Sequence, residues 1–523
     1  MTTQPRDTRS IVRKIIFMVA LLTAALAQDV QATDSIRRRS CRTGAPRPQS
    51  SLRHAPVMQG GENTFIGTRH QLVVLASFQD LDFQDDDATT MAKWDRIFNA
   101  EHLSEAPYIG SIHDYFQAQS YGKLDLRFDL VMLKLPGKRH KYRSTLYDDE
   151  NSQYMVDDII DALQQQGIDW SPYDWDGDTF VNQLLIIYAG KGMNAGGDDS
   201  TIWPHQWWLS QHLDLQTEVP GDYRDCRTMV QGTQVYSIDS YCCVQEIIQV
   251  PNVETSFGTI CHEYSHCFGF PDYYYDSNLV VGEWDIMDYG LYNGKGFRPC
   301  GYSAHERWLM GWLSPIELTE SGYFTNIPPL SDEPCAYLIR NNGFKDEYYI
   351  IENRQQRGWD GDLPGQGLLI FHVDFEETLW TSTIQPVNST VLKRYELFHA
   401  NSFESKESKD WAYPYILWNT QNDSILKINR ELTNTSEPAA LLNHPNADGQ
   451  RLMSKPITQM TINTAGLASF QFEDNISTSI RDVAPPSPLS QSSHWYTLDG
   501  RRFCEKPTRP GLYIHQGRVV NVR

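Results

Sequence analysis

The chain has 523 residues, of which 40% are hydrophobic and 12% aromatic, and its formal net charge is −21. A chain of this length exceeds one compact core, so two or three domains are expected, and its apolar content excludes wholesale disorder. The negative charge, without a long basic stripe, argues against a nucleic-acid partner and fits a protein that works outside the cell.

The N-terminus has the features of a secretory signal peptide. Basic residues precede a short apolar run at 15–27, which ends in the small-x-small site Ala25-Leu26-Ala27. This run is too short to span a membrane comfortably, and no later stretch has about 18 uninterrupted apolar residues. We therefore predict cleavage of residues 1–27, secretion to the extracellular space or cell surface, and no integral membrane span in the mature chain. The alternative is an uncleaved signal anchor.

The next 288 positions divide into a polar segment and an ordered domain. Residues 28–68 are rich in arginine and proline, and we predict a linker or short propeptide. Residues 69–315 alternate strand-like and helical patterns, which indicates an α/β (α+β) domain. The predicted elements are strands at 71–78 and 184–188 and helices at 112–119 and 155–166.

The pattern of apolar and turn-forming residues changes at about residue 316. Short β-type runs separated by Gly, Asn, Asp and Pro turns predict a β-rich domain at 316–475. A proline-rich stretch marks a linker at 476–494, and a small C-terminal β module follows at 495–523. This module loosely resembles the short β tails of some exported bacterial proteins, a class that includes sorting signals. The alternative is a small appendage with a packing role.

Nine cysteines add one constraint on covalent structure. An odd number in an exported protein leaves at least one thiol unpaired or paired between chains. If Cys261 and Cys267 share a helix, six residues separate them by about 9 Å, beyond the roughly 7 Å limit for a disulfide. We predict that they are not bonded to each other.

The segment at 258–269 carries the strongest chemical pattern and is predicted to be a helix ending at glycine. His262 and His266 are four residues apart, so their imidazoles lie on one face and can hold one Zn²⁺. Glu263 follows the first histidine and is placed to accept a proton from the attacking water. A structural helix can carry this pattern by chance, so the neighbouring residues decide.

The residues after the helix favour a catalytic metal site. Gly269 can turn the chain sharply, which lets Asp272 return as a third ligand and leaves the fourth position to water. The alternative for Asp272 is a cap or turn after Pro271. In that case Glu283 and Glu306 are the other candidates for the third ligand.

The segment from His262 to Asp272, followed by Met287 in a turn-forming stretch, resembles the metzincin clan. More narrowly, the chain resembles the immune inhibitor A-like secreted zinc metallopeptidases over about residues 70–375. The further matching segments are Ser111-Ile112-His113-Asp114-Tyr115-Phe116, residues 120–125, 284–290 and 303–312, Glu352-Asn353-Arg354-Gln355, and residues 363–370.

This resemblance implies a metzincin-like catalytic domain in a secreted zinc endopeptidase that cleaves extracellular proteins or peptides. His262 and His266 would be ligands, Glu263 the general base and Met287 the turn methionine. Asp272 stands where many metzincins have histidine, and aspartate is also a legitimate zinc ligand. Tyr289 would hydrogen-bond the oxyanion as the corresponding tyrosine does in some metzincins; the alternative is a packed tyrosine.

A second acidic motif indicates a calcium site. Asp174, Asp176 and Asp178 alternate around Gly177, so their oxygens can converge on Ca²⁺. The motif lacks the glutamate that closes an EF-hand loop. The alternative is a solvated acidic turn before the strand at 184–188.

Three further hypotheses compete or combine with the main one. Cys41, in the propeptide segment, could occupy the open zinc position as a thiolate, although a disulfide is its commoner use. The chain could be an inactive zinc-containing surface or binding module, but a structural site has no use for Glu263 and fills all four positions with protein ligands. It could also be a zinc amidase acting on cell-wall peptides, which differs in substrate.

Overall fold

The structure is a computed structural model. It describes residues 65–143, 151–197, 201–212, 224–275, 279–376, 380, 387–388, 392–400, 412–419, 424–473, 495–497, 502–503, 506–515 and 518–522. The predicted signal peptide, Cys41 and the linker at 476–494 lie outside the described residues.

The first domain is built on a mixed five-stranded sheet within the described residues, in the order β2-β1-β4-β8-β5. Strands β1, β2, β4 and β8 run parallel, and β5 pairs antiparallel with β8 at the edge. Both predicted strands, at 71–78 and 184–188, belong to this sheet. Strand β1 is buried along seven consecutive residues and β4 along seven of its eight. Such continuous apolar runs are typical of strands covered on both faces. The strands are β1 (Gly67–Ser77), β2 (Leu124–Lys134), β4 (Leu184–Lys191), β5 (His205–Trp208) and β8 (Ser240–Ile247), with β3 (Phe180–Val181), β6 (Arg227–Gln231) and β7 (Gln234–Ile238) in a small separate sheet.

The α-helices of the described chain are α1 (Asp87–Asn99), α2 (Ile112–Gln119), α3 (Ser152–Gln166), α4 (Phe257–Ser265) and α5 (Ala304–Leu309). Helix α2 has the predicted bounds and starts with a capping box between Ser111 and Asp114. Helix α3 begins three residues earlier than predicted and ends at the left-handed Gly167. A helix was predicted at 258–269, but the α-helical part, α4, ends at Ser265. A 3₁₀ turn follows at His266–Phe268, and Gly269, at φ 89°, ends the helical segment.

We call residues 316–473 the second domain. The described elements there are strands and one short 3₁₀ helix, Gly358–Asp362. One sheet has the order β14-β13-β12-β11-β9, a three-stranded sheet has the order β10-β18-β17, and β15 and β16 form a hairpin. The strands are β9 (Ile316–Glu317), β10 (Gly322–Ile327), β11 (Ala336–Arg340), β12 (Glu347–Arg354), β13 (Gly367–Asp374), β14 (Tyr395–Leu397), β15 (Tyr415–Asn419), β16 (Ser424–Asn429), β17 (Ile457–Ile462) and β18 (Ala468–Phe472).

The larger sheet of the second domain lies between two hydrophobic cores. Successive side chains of a strand point to opposite faces. Ile350 and Phe371 pack into the core of the first domain, whereas their neighbours Ile351 and Ile370 belong to a second core with the three-stranded sheet. The predicted boundary at 315/316 falls just before β9, and the hydrophobic core continues across it.

The C-terminal segment forms a small antiparallel sheet in the order β20-β19-β21-β22. Its strands are β19 (Trp495–Thr497), β20 (Arg502–Phe503), β21 (Gly511–His515) and β22 (Arg518–Val522). Across the described ranges of the whole chain, no helix combines the length and apolarity needed to cross a bilayer.

Candidate metal centre

Helix α4 and the turn that follows hold both histidines in the protein interior. His262 is 1% exposed and donates from Nδ1 to the carbonyl oxygen of Ile286 at 2.7 Å. His266 is 4% exposed and donates from Nδ1 to the carbonyl oxygen of Phe270, also at 2.7 Å. A backbone acceptor at Nδ1 fixes the ring and leaves the Nε2 lone pair for a metal ion.

Asp272 meets both histidines at one carboxylate oxygen. Its Oδ1 lies 3.3 Å from His262 Nε2 and 3.4 Å from His266 Nε2. Zinc bonds of about 2.0–2.2 Å at tetrahedral angles give ligand separations of roughly 3.3–3.5 Å. His266 Nε2 and Asp272 Oδ1 are buried, and neither has a hydrogen-bond partner of suitable geometry among the described residues. Two imidazoles and a carboxylate at these separations therefore fit a zinc ion.

Glu263 brings a second carboxylate to the same place. It is 1% exposed, and one of its oxygens lies within 4.8 Å of a ring nitrogen of each histidine. Both carboxylates are thus close enough to be considered as ligands. The Oδ1 atom of Asp272 is at the distance from both Nε2 atoms that two ligands of one tetrahedral zinc would have, so Asp272 fits as a third ligand, with Glu263 beside the candidate metal position.

The charges of these side chains act strongly on one another. Burial opposes protonation of His262, but the nearby carboxylates of Asp272 and Glu263 outweigh it and raise the pKa of His262 to about 9. Burial likewise opposes ionisation of Asp272, yet His266 and His262 hold its pKa below the ordinary value. The two carboxylates make this buried centre negatively charged, so it stabilises positive charge between the ring nitrogens.

The turn that contains Met287 supports His262. Met287 is buried, its N–H donates to Asp285 Oδ1 at 2.9 Å, and its carbonyl oxygen accepts the Tyr273 N–H at 2.9 Å. Since the preceding residue, Ile286, holds the ring of His262, this turn links the first histidine to the loop after Asp272.

Two buried carboxylates stabilise this turn, and the sequence analysis did not identify them. Asp288 Oδ2 accepts the N–H groups of Val280, Val281 and Gly282 at 2.7–2.9 Å. Burial raises the pKa of Asp285 to about 7 and that of Asp288 to about 6. The signal in the sequence is the pair of aspartates that encloses Ile286 and Met287, although composition alone does not say that they are buried.

The other sequence candidates around the metal lie in varied settings. Tyr289 is half-buried, and its ring packs edge-on against Tyr292 with centroids 4.9 Å apart. Glu283 is exposed, and Glu306 is buried in the capping box of α5, where it accepts the Ser303 N–H at 2.7 Å.

Tyr274 is an aromatic neighbour of the centre that sequence reasoning missed. It lies two residues after Asp272, is half-buried, and its ring is nearly parallel to that of His262 with centroids 6.5 Å apart. No spacing rule points to it, because its proximity follows from the return of the chain after Gly269.

The acidic motif at Asp174, Asp176 and Asp178 does bring one oxygen of each residue within 4.8 Å of the others. Asp174 also accepts the N–H groups of Gly177, Asp178 and Thr179, as in an ordinary acidic turn. Burial and the charges of Asp178 and Asp174 raise the pKa of Asp176. The geometry is compatible with both interpretations of the motif.

The structure agrees with the prediction that Cys261 and Cys267 do not form a disulfide with each other. Cys261 and Cys267 are buried and free, so they are not bonded to each other. Cys335 is disulfide-bonded. Free thiols are also found at Cys226, Cys242, Cys243 and Cys300.

Comparison with known proteins finds similarities that include the first domain. Residues 68–311 match the family model described as immune inhibitor A peptidase M6, catalytic domain. The chain is also similar to immune inhibitor A of Bacillus thuringiensis subsp. alesti, at 26% identity over 345 residues. This similarity covers 57% of the chain and 47% of the relative, so the match spans about half of the relative's length. The stretch that contains both histidines, residues 68–311, is thus similar to the catalytic domain of the immune inhibitor A peptidase M6 family.

Proposed function

We propose that the chain is a secreted zinc-dependent endopeptidase that hydrolyses peptide bonds of extracellular proteins. The observation that carries this proposal is the position of Asp272 Oδ1 within 3.4 Å of both His262 Nε2 and His266 Nε2, beside Glu263. We assign the three as zinc ligands, which leaves one tetrahedral position open, as a catalytic zinc requires. The similarity of residues 68–311 to a peptidase catalytic domain supports peptide hydrolysis as the reaction.

The mechanism uses the residues around this position. Zinc, when bound, polarises the scissile carbonyl and lowers the pKa of the attacking water. Glu263 accepts a proton from that water and passes it to the leaving amine. Tyr289 is proposed to hydrogen-bond the carbonyl oxygen as negative charge develops there. The carbonyl groups of Ile286 and Phe270 keep both imidazoles oriented throughout.

Removal and return of the metal tests the proposal. The purified mature chain is expected to hydrolyse casein, to lose this activity with a chelator and to regain it with added Zn²⁺, because the reaction needs the polarising cation. The measurement is the release of soluble peptides. Unchanged hydrolysis after complete zinc removal would contradict the assignment. Digestion of cell-wall peptides in place of casein would instead favour the amidase, and zinc binding without hydrolysis of either would favour the inactive module.

We further propose that Asp174, Asp176 and Asp178 bind Ca²⁺, which would stabilise the first domain without taking part in catalysis. Calcium at 100 times its Kd is expected to add about 2.7 kcal/mol to the free energy of unfolding, seen as a higher Tm in calorimetry. Asp176→Ala should remove this dependence. Mg²⁺ serves as the control ion, and a parent chain whose Tm ignores Ca²⁺ would refute the site.

A further inference from the structure

Two loops of the first domain complete the metal centre, and the second domain contacts both of them. One loop follows Asp272 directly with Tyr273, and the other contains Met287. The contacts come from Tyr395 in β14 and from Asn388, a few residues before it. The side chains of Tyr395, Asn388 and Tyr273 are fully buried, so these contacts belong to the interior of the protein and solvent does not compete for them.

The first contact runs from Tyr395 to the ring of His262. The Tyr395 hydroxyl lies 3.0 Å from Asp285 Oδ2, and Asp285 Oδ1 accepts the Met287 N–H at 2.9 Å. The adjacent carbonyl of Ile286 accepts the proton of His262 Nδ1. A buried carboxylate needs donors to remain ionised. Among the described residues the Asp285 carboxylate has two, the Met287 N–H and the Tyr395 hydroxyl, which also lies 2.9 Å from Ser303 Oγ.

The second contact runs from Asn388 to the chain beside Asp272. Asn388 Nδ2 donates to the carbonyl oxygens of Tyr273 and Tyr395, each at 2.8 Å. Asn388 Oδ1 accepts the Tyr395 N–H at 3.0 Å, so the amide is fixed against β14. The rings of Tyr273 and Tyr395 pack with centroids 4.1 Å apart. The Tyr273 N–H donates to the Met287 carbonyl, which joins the two loops to each other.

We propose that Tyr395 and Asn388 are positioning residues of the metal centre, so that the second domain takes part in constructing it. The inference rests on the proposed function, since it takes His262 and Asp272 as zinc ligands. The first contact ends on the Asp285 carboxylate, which fixes the turn whose Ile286 carbonyl holds His262. The second ends on the Tyr273 carbonyl, directly after Asp272. Loss of a contact lets the neighbouring ligand depart from tetrahedral geometry. Partners that orient metal ligands from behind typically contribute about 10–100-fold to metal affinity.

The test is Tyr395→Phe in the full mature chain, which removes the hydroxyl and keeps the ring against Tyr273. We expect Zn²⁺ affinity, measured by competition with a chromophoric chelator, to fall about tenfold. The kcat for a peptide substrate should fall while KM changes little, because Tyr395 and Asn388 orient the metal centre and do not touch substrate. Asn388→Asp removes the amide donor of the second contact and should weaken zinc binding in the same way.

Tyr349→Phe is the matched control. Tyr349 is a fully buried tyrosine of β12 whose hydroxyl donates to the Leu441 carbonyl at 2.6 Å, on the face of the same sheet that turns away from the first domain. It should lower the Tm of the zinc-free chain to a similar extent and leave zinc affinity unchanged. Parental zinc affinity in both Tyr395→Phe and Asn388→Asp would overturn the inference. A parent chain that binds zinc but does not hydrolyse casein contradicts the proposed function alone. The zinc affinities of the variants still test whether Tyr395 and Asn388 position the metal centre.

Discussion

The Glu263→Gln variant is expected to bind zinc as the parent does and to lose peptide hydrolysis, with kcat reduced about 10²–10⁴-fold. Glutamine preserves the size of the side chain but cannot accept a proton from the attacking water. The ligand set proposed here, His262, His266 and Asp272, is unchanged by the substitution, so the metal should remain. Zinc content by elemental analysis and casein hydrolysis on the same preparation measure the two properties together.

Glu283→Gln provides the matched control for this substitution. Glu283 is an exposed glutamate of the loop before Met287, and its change to glutamine alters charge in the same way without altering the buried centre. We expect parental zinc content and activity. Loss of zinc in Glu283→Gln would make that residue a ligand, and full activity in Glu263→Gln would remove Glu263 from the mechanism. Loss of zinc in Glu263→Gln would show it to be a ligand.

The sequence predicted that the side chains of the candidate metal centre lie close together, because their spacing along the chain is short. Four-residue spacing on a helix places His262 and His266 on one face, and Gly269 at positive φ returns the chain so that Asp272 approaches both rings. All three lie within eleven residues. Zinc binding by these three residues remains a prediction, as do the roles of Glu263 and Tyr289 in chemistry with a substrate.

The support of the centre could not be predicted in the same way. Asp285 and Tyr395 are 110 positions apart, and nothing in the periodicity of either segment indicates that they meet. A carboxylate in a polar turn is normally solvated, so only tertiary packing explains why Asp285 is buried and needs a donor.

The second domain illustrates a related limit. Its β character follows from short apolar runs between turns, but residues 348–351 are buried on both faces of the sheet. A strand covered on both faces shows no alternation that would tell which side meets another domain. The shared core with the first domain is therefore visible in the structure alone.

Two of the segments on which the family resemblance depends, around Ser303 and around Arg354, meet in a buried charge network. Arg354 donates to both carboxylate oxygens of Asp360 at 2.6 and 2.8 Å, to Glu352 Oε1 at 3.1 Å and to the Gly301 carbonyl at 3.0 Å. Glu352 in turn accepts the Ala304 N–H at the start of α5 at 2.5 Å. One guanidinium therefore joins β12 to the chain that precedes α5.

Arg354→Met is expected to lower the free energy of unfolding by about 3–5 kcal/mol, because it leaves two carboxylates buried without their cation. Burial already raises the pKa of Glu352, so this group should take up a proton in the variant, and the loss should be smaller at acidic pH. Arg357→Met is the control, since Arg357 pairs with Asp332 while both side chains are at least 40% exposed; such surface pairs contribute about 0–1 kcal/mol. Urea unfolding followed by tryptophan fluorescence measures both variants. Equal losses in the two would mean that the Arg354 network holds the domains together no more strongly than a surface ion pair.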